Sequence, residues 1–183
     1  MAANQELKSL WRGGSGTLGS SEESELFYPG ELGKTAFEKG SDDKPVPVEV
    51  QKVKRYGTDT VAAADGQLAF WQDLDDCVVT NDISAALGGS TNPLVAGVFR
   101  GTKPSAGKFG LIQIGGKATV AVNAGTVAAG SVVNAATNAA KVVEYATIGA
   151  TTGAPKIEIG RALASGDTTN GVSVILTLPR FGR

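Results

Sequence analysis

The sequence predicts an all-β protein, and three observations carry that reading. Glycine accounts for 25 of 183 residues, about twice the usual share. The apolar residues lean on Ala and Val, with little of the Leu, Glu, Lys and Gln at 3.6-residue spacing that a helical protein of this size needs. Short Val/Ile/Thr runs are broken by Gly and Asn at intervals of 8–15 residues, the mark of many short strands joined by tight turns. A chain of this length buries a core without metal or disulfide help. The pattern fits one small barrel or sandwich over residues 46–183, preceded by an extended, mostly irregular N-terminal arm over residues 1–45.

The arm contains GGSGTLGSSEESE, a Gly/Ser linker that runs into an acidic patch, followed by Pro29 and further glycines. A disordered tail is poor in aromatics, yet five of the chain's eleven aromatics precede residue 57. Leu7, Leu10, Trp11, Phe27, Tyr28 and Phe37 are therefore read as partner-binding anchors. They order the arm by docking on a partner or on the chain's own barrel. Fully stretched, such an arm spans on the order of 150 Å, enough to reach a neighbouring subunit.

Strands follow in order. Val46, Val48 and Val50 alternate with Pro47, Glu49 and Gln51, a period of two. Gln67–Trp71 follows the turn Asp65-Gly66, and Cys77–Thr80 and Leu94–Arg100 are β-branched or apolar runs. Between them, Asp82 or Ser84 caps a helical turn through Ile83–Leu87, ended by Gly88-Gly89. Phe109–Ile114 and Ala118–Val122 flank Gly115-Gly116-Lys117 and read as a hairpin. Ser131–Val133 and Val142–Ile148 come next. A last pair, Lys156–Leu163 and Val172–Leu178, is separated by the turn-forming residues 165–171. In the final strand Val172, Val174, Leu176 and Leu178 share one face, against Ser173, Ile175 and Thr177.

Composition narrows the function. The chain has no histidine and one cysteine, Cys77. This removes Ser-His-Asp and Cys-His catalysis, His-ligated zinc and any internal disulfide. Cys77 has no basic neighbour to lower its pKa and reads as a small core residue. The net charge of −1 lacks the basic excess of a nucleic-acid binder. It is unevenly spread: residues 1–82 hold 15 acids and 8 bases, whereas residues 83–183 hold 3 acids and 9 bases. The two halves can thus pair within a molecule or between copies. The opening MAANQELKSLW has no signal-peptide pattern, and the Ala/Val-rich stretch 118–133 is interrupted by Asn123, Thr126 and glycines. No membrane association is expected, and a cytoplasmic site of synthesis is.

The apparent motifs fail on context. Gly14-x-Gly16-x-x-Gly19 follows no apolar strand and precedes acids where a phosphate would sit. Gly33-Lys34-Thr35 ends like a phosphate loop, but Tyr28 stands where its first Gly belongs. Gly110 through Lys117 is one residue out of register and ends in Ala118. Asp73, Asp75, Asp76 and Asp82 form the densest carboxylate group, without the D-x-D-x-D-G order of a Ca²⁺ loop. A solvated acidic loop is the reading preferred there. Neither catalytic residues, metal ligands nor a cofactor are expected, and the chain is read as a non-enzyme.

Three stretches carry a likeness to a known family. They are GQLAFW (66–71) followed by NPLVAGVFRG (92–101); AGKFGLIQIGGKATVAV (106–122) followed by GTVAAGSVV (125–133); and IEIGRALASGDTTNGVSVILTLP (157–179). From Gly66 to Pro179 the chain resembles the capsid decoration (cement) proteins of tailed bacteriophages. The resemblance implies a β-barrel or β-tulip core, a homo-oligomer with trimers favoured, the major capsid protein as partner and a place on the virion surface. The implied function is head stabilisation. Residues 1–65 depart from the compact form of that family. The alternatives are a tail-tube, neck or head-fibre component of the virion and, less favoured, a carbohydrate-binding adhesin module, which needs exposed Trp/Tyr platforms where the barrel offers mainly Trp71 and Tyr145.

Overall fold

The computed structural model describes residues 32–39, 45–60, 62–100, 104–136, 140, 142–144 and 158–178. Among these residues, twelve strands and one 3-10 turn make up the regular structure. They are β1 Leu32–Lys39, β2 Pro45–Arg55, β3 Leu68–Asp73, β4 Val78–Thr80, the turn Ile83–Ala85, β5 Val95–Phe99, β6 Phe109–Val120, β7 Thr126–Val127, β8 Val132–Ala135, β9 Val142–Glu144, β10 Glu158–Ala162, β11 Gly166–Asp167 and β12 Val172–Thr177. The protein is all-β among the described residues.

Five strands close on themselves. Around the ring the order is β2, β4, β3, β5, β6 and back to β2. β2 and β4 run parallel, with Lys54 opposite Val78, and the other pairs are antiparallel. Closure leaves the ring without an open edge. Its interior holds Val53, Ala63, Ala69, Trp71, Cys77, Val79, Ala96, Phe99, Ile112 and Ile114. A barrel this narrow is filled by side chains rather than hollow.

A second layer grows from the same strand. From β6 the sheet continues through β12, β10, β8 and β9. Its inner face, with Ala118, Val120, Val133, Ile159, Ala162, Val172, Val174 and Leu176, packs against Leu68, Phe70, Val95 and Val98 on the outside of the barrel. β3 and β5 are thus buried on both faces. Leu68 and Phe70 look to the second layer, while Ala69 and Trp71 look into the barrel. That is why LAFW and VAGVF are unbroken apolar runs instead of alternating ones. β12 is buried on one face only and alternates as its sequence predicts, with Val172, Val174 and Leu176 inside and Ile175 and Thr177 exposed.

The expected hairpin at Gly115-Gly116-Lys117 is not present. Phe109–Val120 is one continuous strand of 12 residues. Its first half pairs with β2 and β5, and its second half pairs with β12, from Gly115 opposite Thr177 to Val120 opposite Val172. The two glycines mark where the strand leaves the barrel for the second layer. Gly116 takes φ +81°, a backbone state that favours glycine. The Gln113 side chain, fully buried, donates its amide to the carbonyls of Gly115 (3.0 Å) and Lys117 (2.7 Å) across the bend.

The predicted helical turn is shorter than the sequence suggests. Asp82 caps it, but it ends at Ala85. The Leu87 amide donates to the Trp71 carbonyl at 2.7 Å instead of continuing the turn, so the barrel claims that backbone. β1 lies inside the stretch read as an irregular arm. It pairs antiparallel with β2 from Leu32 opposite Gln51 to Lys39 opposite Pro45, shifting register between Ala36 and Glu38. The small ribbon of β7 and β11 was not anticipated either.

Candidate functional site

The acidic cluster serves local structure. One Asp73 carboxylate oxygen accepts from the backbone amides of Asp75 (2.9 Å) and Asp76 (3.2 Å), which shapes the turn from β3 to β4. Asp82 accepts from the Ser84 amide at 2.9 Å and its hydroxyl at 2.6 Å. These bonds from Ser84, side chain first, hold the Asp82 carboxyl below the usual range. Among the described residues no three acids or thiols converge as a metal site would require. Cys77 is buried in the barrel core with φ +51°, its amide and thiol both directed at the Leu74 carbonyl. Gly33, Lys34 and Thr35 lie on β1, paired with Val50, Glu49 and Val48. Gly110 through Lys117 lies within β6. A phosphate cradle needs a loop of inward-turned amides, and neither stretch forms one.

The most developed polar constellation closes one end of the barrel. Arg55, at the end of β2, donates Nε–H to Asp59 at 3.1 Å, and its other nitrogens donate to the Pro104 carbonyl (3.1 Å) and the Asn81 side-chain oxygen (2.9 Å). Asp59 also accepts from the Thr80 hydroxyl at 2.6 Å, and Asn81 donates to Gln67 at 3.3 Å. The strands put these groups together: Arg55 stands opposite Val79 on β4, one residue from Thr80. The arrangement binds the loops 56–67, 80–82 and 104–108 to one another. Its donors and acceptors are directed at each other, which suits a plug better than a binding site.

What remains for contact with other molecules is outer surface. On the outer face of the second layer Lys117 stands opposite Ile175, Ile175 opposite Arg161 and Arg161 opposite Val132. In the next row Thr119 stands opposite Ser173, whose carbonyl accepts the Leu163 amide at 2.7 Å. Ile175 is 39% and Leu163 52% exposed; Leu74 and Leu87, elsewhere on the surface, are exposed to a similar degree. The sequence held the signal for this face: Ile175 is the apolar residue among the outward positions of β12. The Arg55–Asp59 plug had no comparable signal.

Of the predicted anchors, Leu7, Leu10, Trp11, Phe27 and Tyr28 lie outside the described residues. Phe37 lies on β1, at the register shift against β2. Compared with protein families, curated proteins and solved structures, the chain matches none.

Proposed function

We propose that this chain is a structural protein of a tailed-bacteriophage virion that binds the outer surface of the expanded capsid and stabilises it by bridging major capsid protein subunits. One observation supports the reading above the others. The barrel interior is filled by Trp71, Phe99 and Ile112, and its end is closed by Arg55 and Asp59. A molecule built this way works through its outside. Its resemblance between Gly66 and Pro179 to phage decoration proteins gives that outside a partner, the major capsid protein, and a favoured assembly, the trimer.

Stabilisation follows from linkage. A protein that binds the expanded shell, and not the dissociated or unexpanded one, shifts the equilibrium towards the shell. Leu7, Leu10 and Trp11 are the arm's distal anchors. Each contributes about 1.5–3 kcal/mol on full burial, and oligomerisation multiplies such contacts through effective concentration.

Co-sedimentation with expanded and unexpanded empty heads tests the proposal. Saturable binding to expanded heads at a fixed copy number per capsomer is expected, together with greater resistance of those heads to heat. Replacing Leu7, Leu10 and Trp11 by Ala weakens binding without unfolding the barrel. Absence of binding to either head, with rings or tubes formed by the protein alone, moves the reading to a tail-tube or neck component. The edge position of β1 in the sheet order leaves room for that second reading.

A further inference from the structure

We propose that Asn170 is a site of spontaneous succinimide chemistry and that the Asp167 carboxylate is the brake on it. Asn170-Gly171 is the one Asn-Gly pair in the chain, and it stands between β11 and β12. In such a pair the backbone nitrogen of the glycine, unhindered by a side chain, loses its proton to hydroxide and attacks the Asn side-chain carbonyl carbon. The new carbon–nitrogen bond closes the succinimide ring, and the side-chain nitrogen leaves as ammonia. Water then opens the ring at either carbonyl, leaving Asp or its backbone-shifted isomer. Thr168, Thr169 and Asn170 are exposed, so hydroxide and water reach the site.

The turn cannot dispense with this glycine. Gly171 takes φ +71°, and a Cβ on it would stand 2.8 Å from the Val120 carbonyl oxygen of β6. The hazard is therefore built into the turn, and Asp167 opposes it at each reacting atom. The Gly171 N–H, which carries the nucleophile, donates to the Asp167 carbonyl at 2.9 Å and must leave that bond to react. The Asn170 side-chain amide donates to both Asp167 carboxylate oxygens, at 3.2 and 3.3 Å, which restrains the rotation that closes the ring. The Thr169 and Asn170 backbone amides donate to the same carboxylate at 2.9 and 2.8 Å and fix the chain leading into the pair. These amide bonds favour the ionised form of Asp167. A fixed negative charge there disfavours both the amide anion and the oxyanion that ring closure creates. Conversion would set a second carboxylate beside Asp167 and alter the backbone that leads into β12, the strand that joins the second layer to β6.

The test incubates the full-length protein at mildly alkaline pH and follows Asn170 by peptide mapping. Mass spectrometry reads the change from amide to acid, and enzymatic isoaspartyl methylation reads the shifted isomer. A synthetic peptide of residues 166–173 supplies the unrestrained rate. Asn170 in the folded protein is expected to convert several-fold more slowly than in the peptide, and Asp167→Ala to recover most of that difference. Asp167→Asn keeps an acceptor for the Thr169 and Asn170 amides but carries no charge, and its rate is expected to fall between wild type and peptide. All rates are taken well below the unfolding midpoint, and Asp167→Asn decides the matter if Asp167→Ala does not fold. A folded-protein rate equal to the peptide's overturns the proposal. So does a rate in the folded Asp167 variants no faster than in the wild type. Head binding enters neither readout, so this proposal and the capsid reading fail separately.

Discussion

Arg55 and Asp59 form an ion pair at 3.1 Å in which both side chains are almost completely shielded from water, at 4% and 1% exposure. Such a pair is costly to break from one side, because the surviving charge stays buried. Asp59→Ala is expected to cost about 3–5 kcal/mol in urea unfolding. Arg55→Met with Asp59→Leu is expected to cost less than Asp59→Ala alone, since no charge is stranded. A double variant as unstable as the sum of its singles would mean the pair is not coupled.

The bend in β6 gives a second prediction. Gln113→Leu leaves the Gly115 and Lys117 carbonyls without the amide that bridges them, at a cost of about 1–3 kcal/mol. Gly116→Ala places a side chain at φ +81°, which costs about 1–2 kcal/mol. Both are read from the midpoint of chemical unfolding. Because the bend joins the two layers, the two variants are also expected to lose more together than their separate costs combined.

Phe99 and Phe70 test whether the two cores are one cooperative unit. Phe99 fills the barrel, and Phe70 lies between the barrel wall and the second layer. Truncation of either to Ala is expected to cost about 3–5 kcal/mol. Calorimetry of both variants should give a single transition. Two transitions in Phe70→Ala would show that the layers melt apart.

Two carboxyls with lowered pKa tie stability to acid. Amide bonds from Asn170 and Thr169 hold Asp167 below its ordinary pKa, and Ser84 does the same for Asp82. A group whose folded pKa is depressed contributes stability above its unfolded value, and the contribution is lost as pH falls through the folded value. Between pH 5 and 8 these two groups leave stability flat, and the loss sets in below about pH 4. Asp82→Asn with Asp167→Asn should flatten that acid limb while leaving the Arg55–Asp59 pair untouched. Thermal melts across the range measure it.

The fold was legible where one physical constraint acts on a segment at a time. β12 alternates because only its inner face is buried, and β3 reads as LAFW because both faces are. Gly115-Gly116 was misread as a turn between two strands. A glycine pair allows a hairpin or a bend within one strand equally well, and the choice rests on β2 and β12, which are distant in sequence. β1 was hidden because Gly33 and Lys34 weaken its strand signal, and its pairing with β2 supplies what propensity lacks. Arg55 and Asp59 sit four apart in a strand end and a loop, and nothing in that spacing announces a buried pair. Of the acidic cluster Asp73, Asp75, Asp76 and Asp82, only Asp75 and Asp76 lie in the turn between β3 and β4; Asp73 ends β3 and Asp82 caps the 3-10 turn.

The shared strand also has a mechanical consequence. A pull on β12 or β10 passes through the hydrogen-bonded ladder into β6, and from there along covalent backbone into the wall of the barrel. Two bodies joined by a linker would yield at the joint. Here there is no joint to yield: separating the layers under tension means shearing strands from β6 along their length.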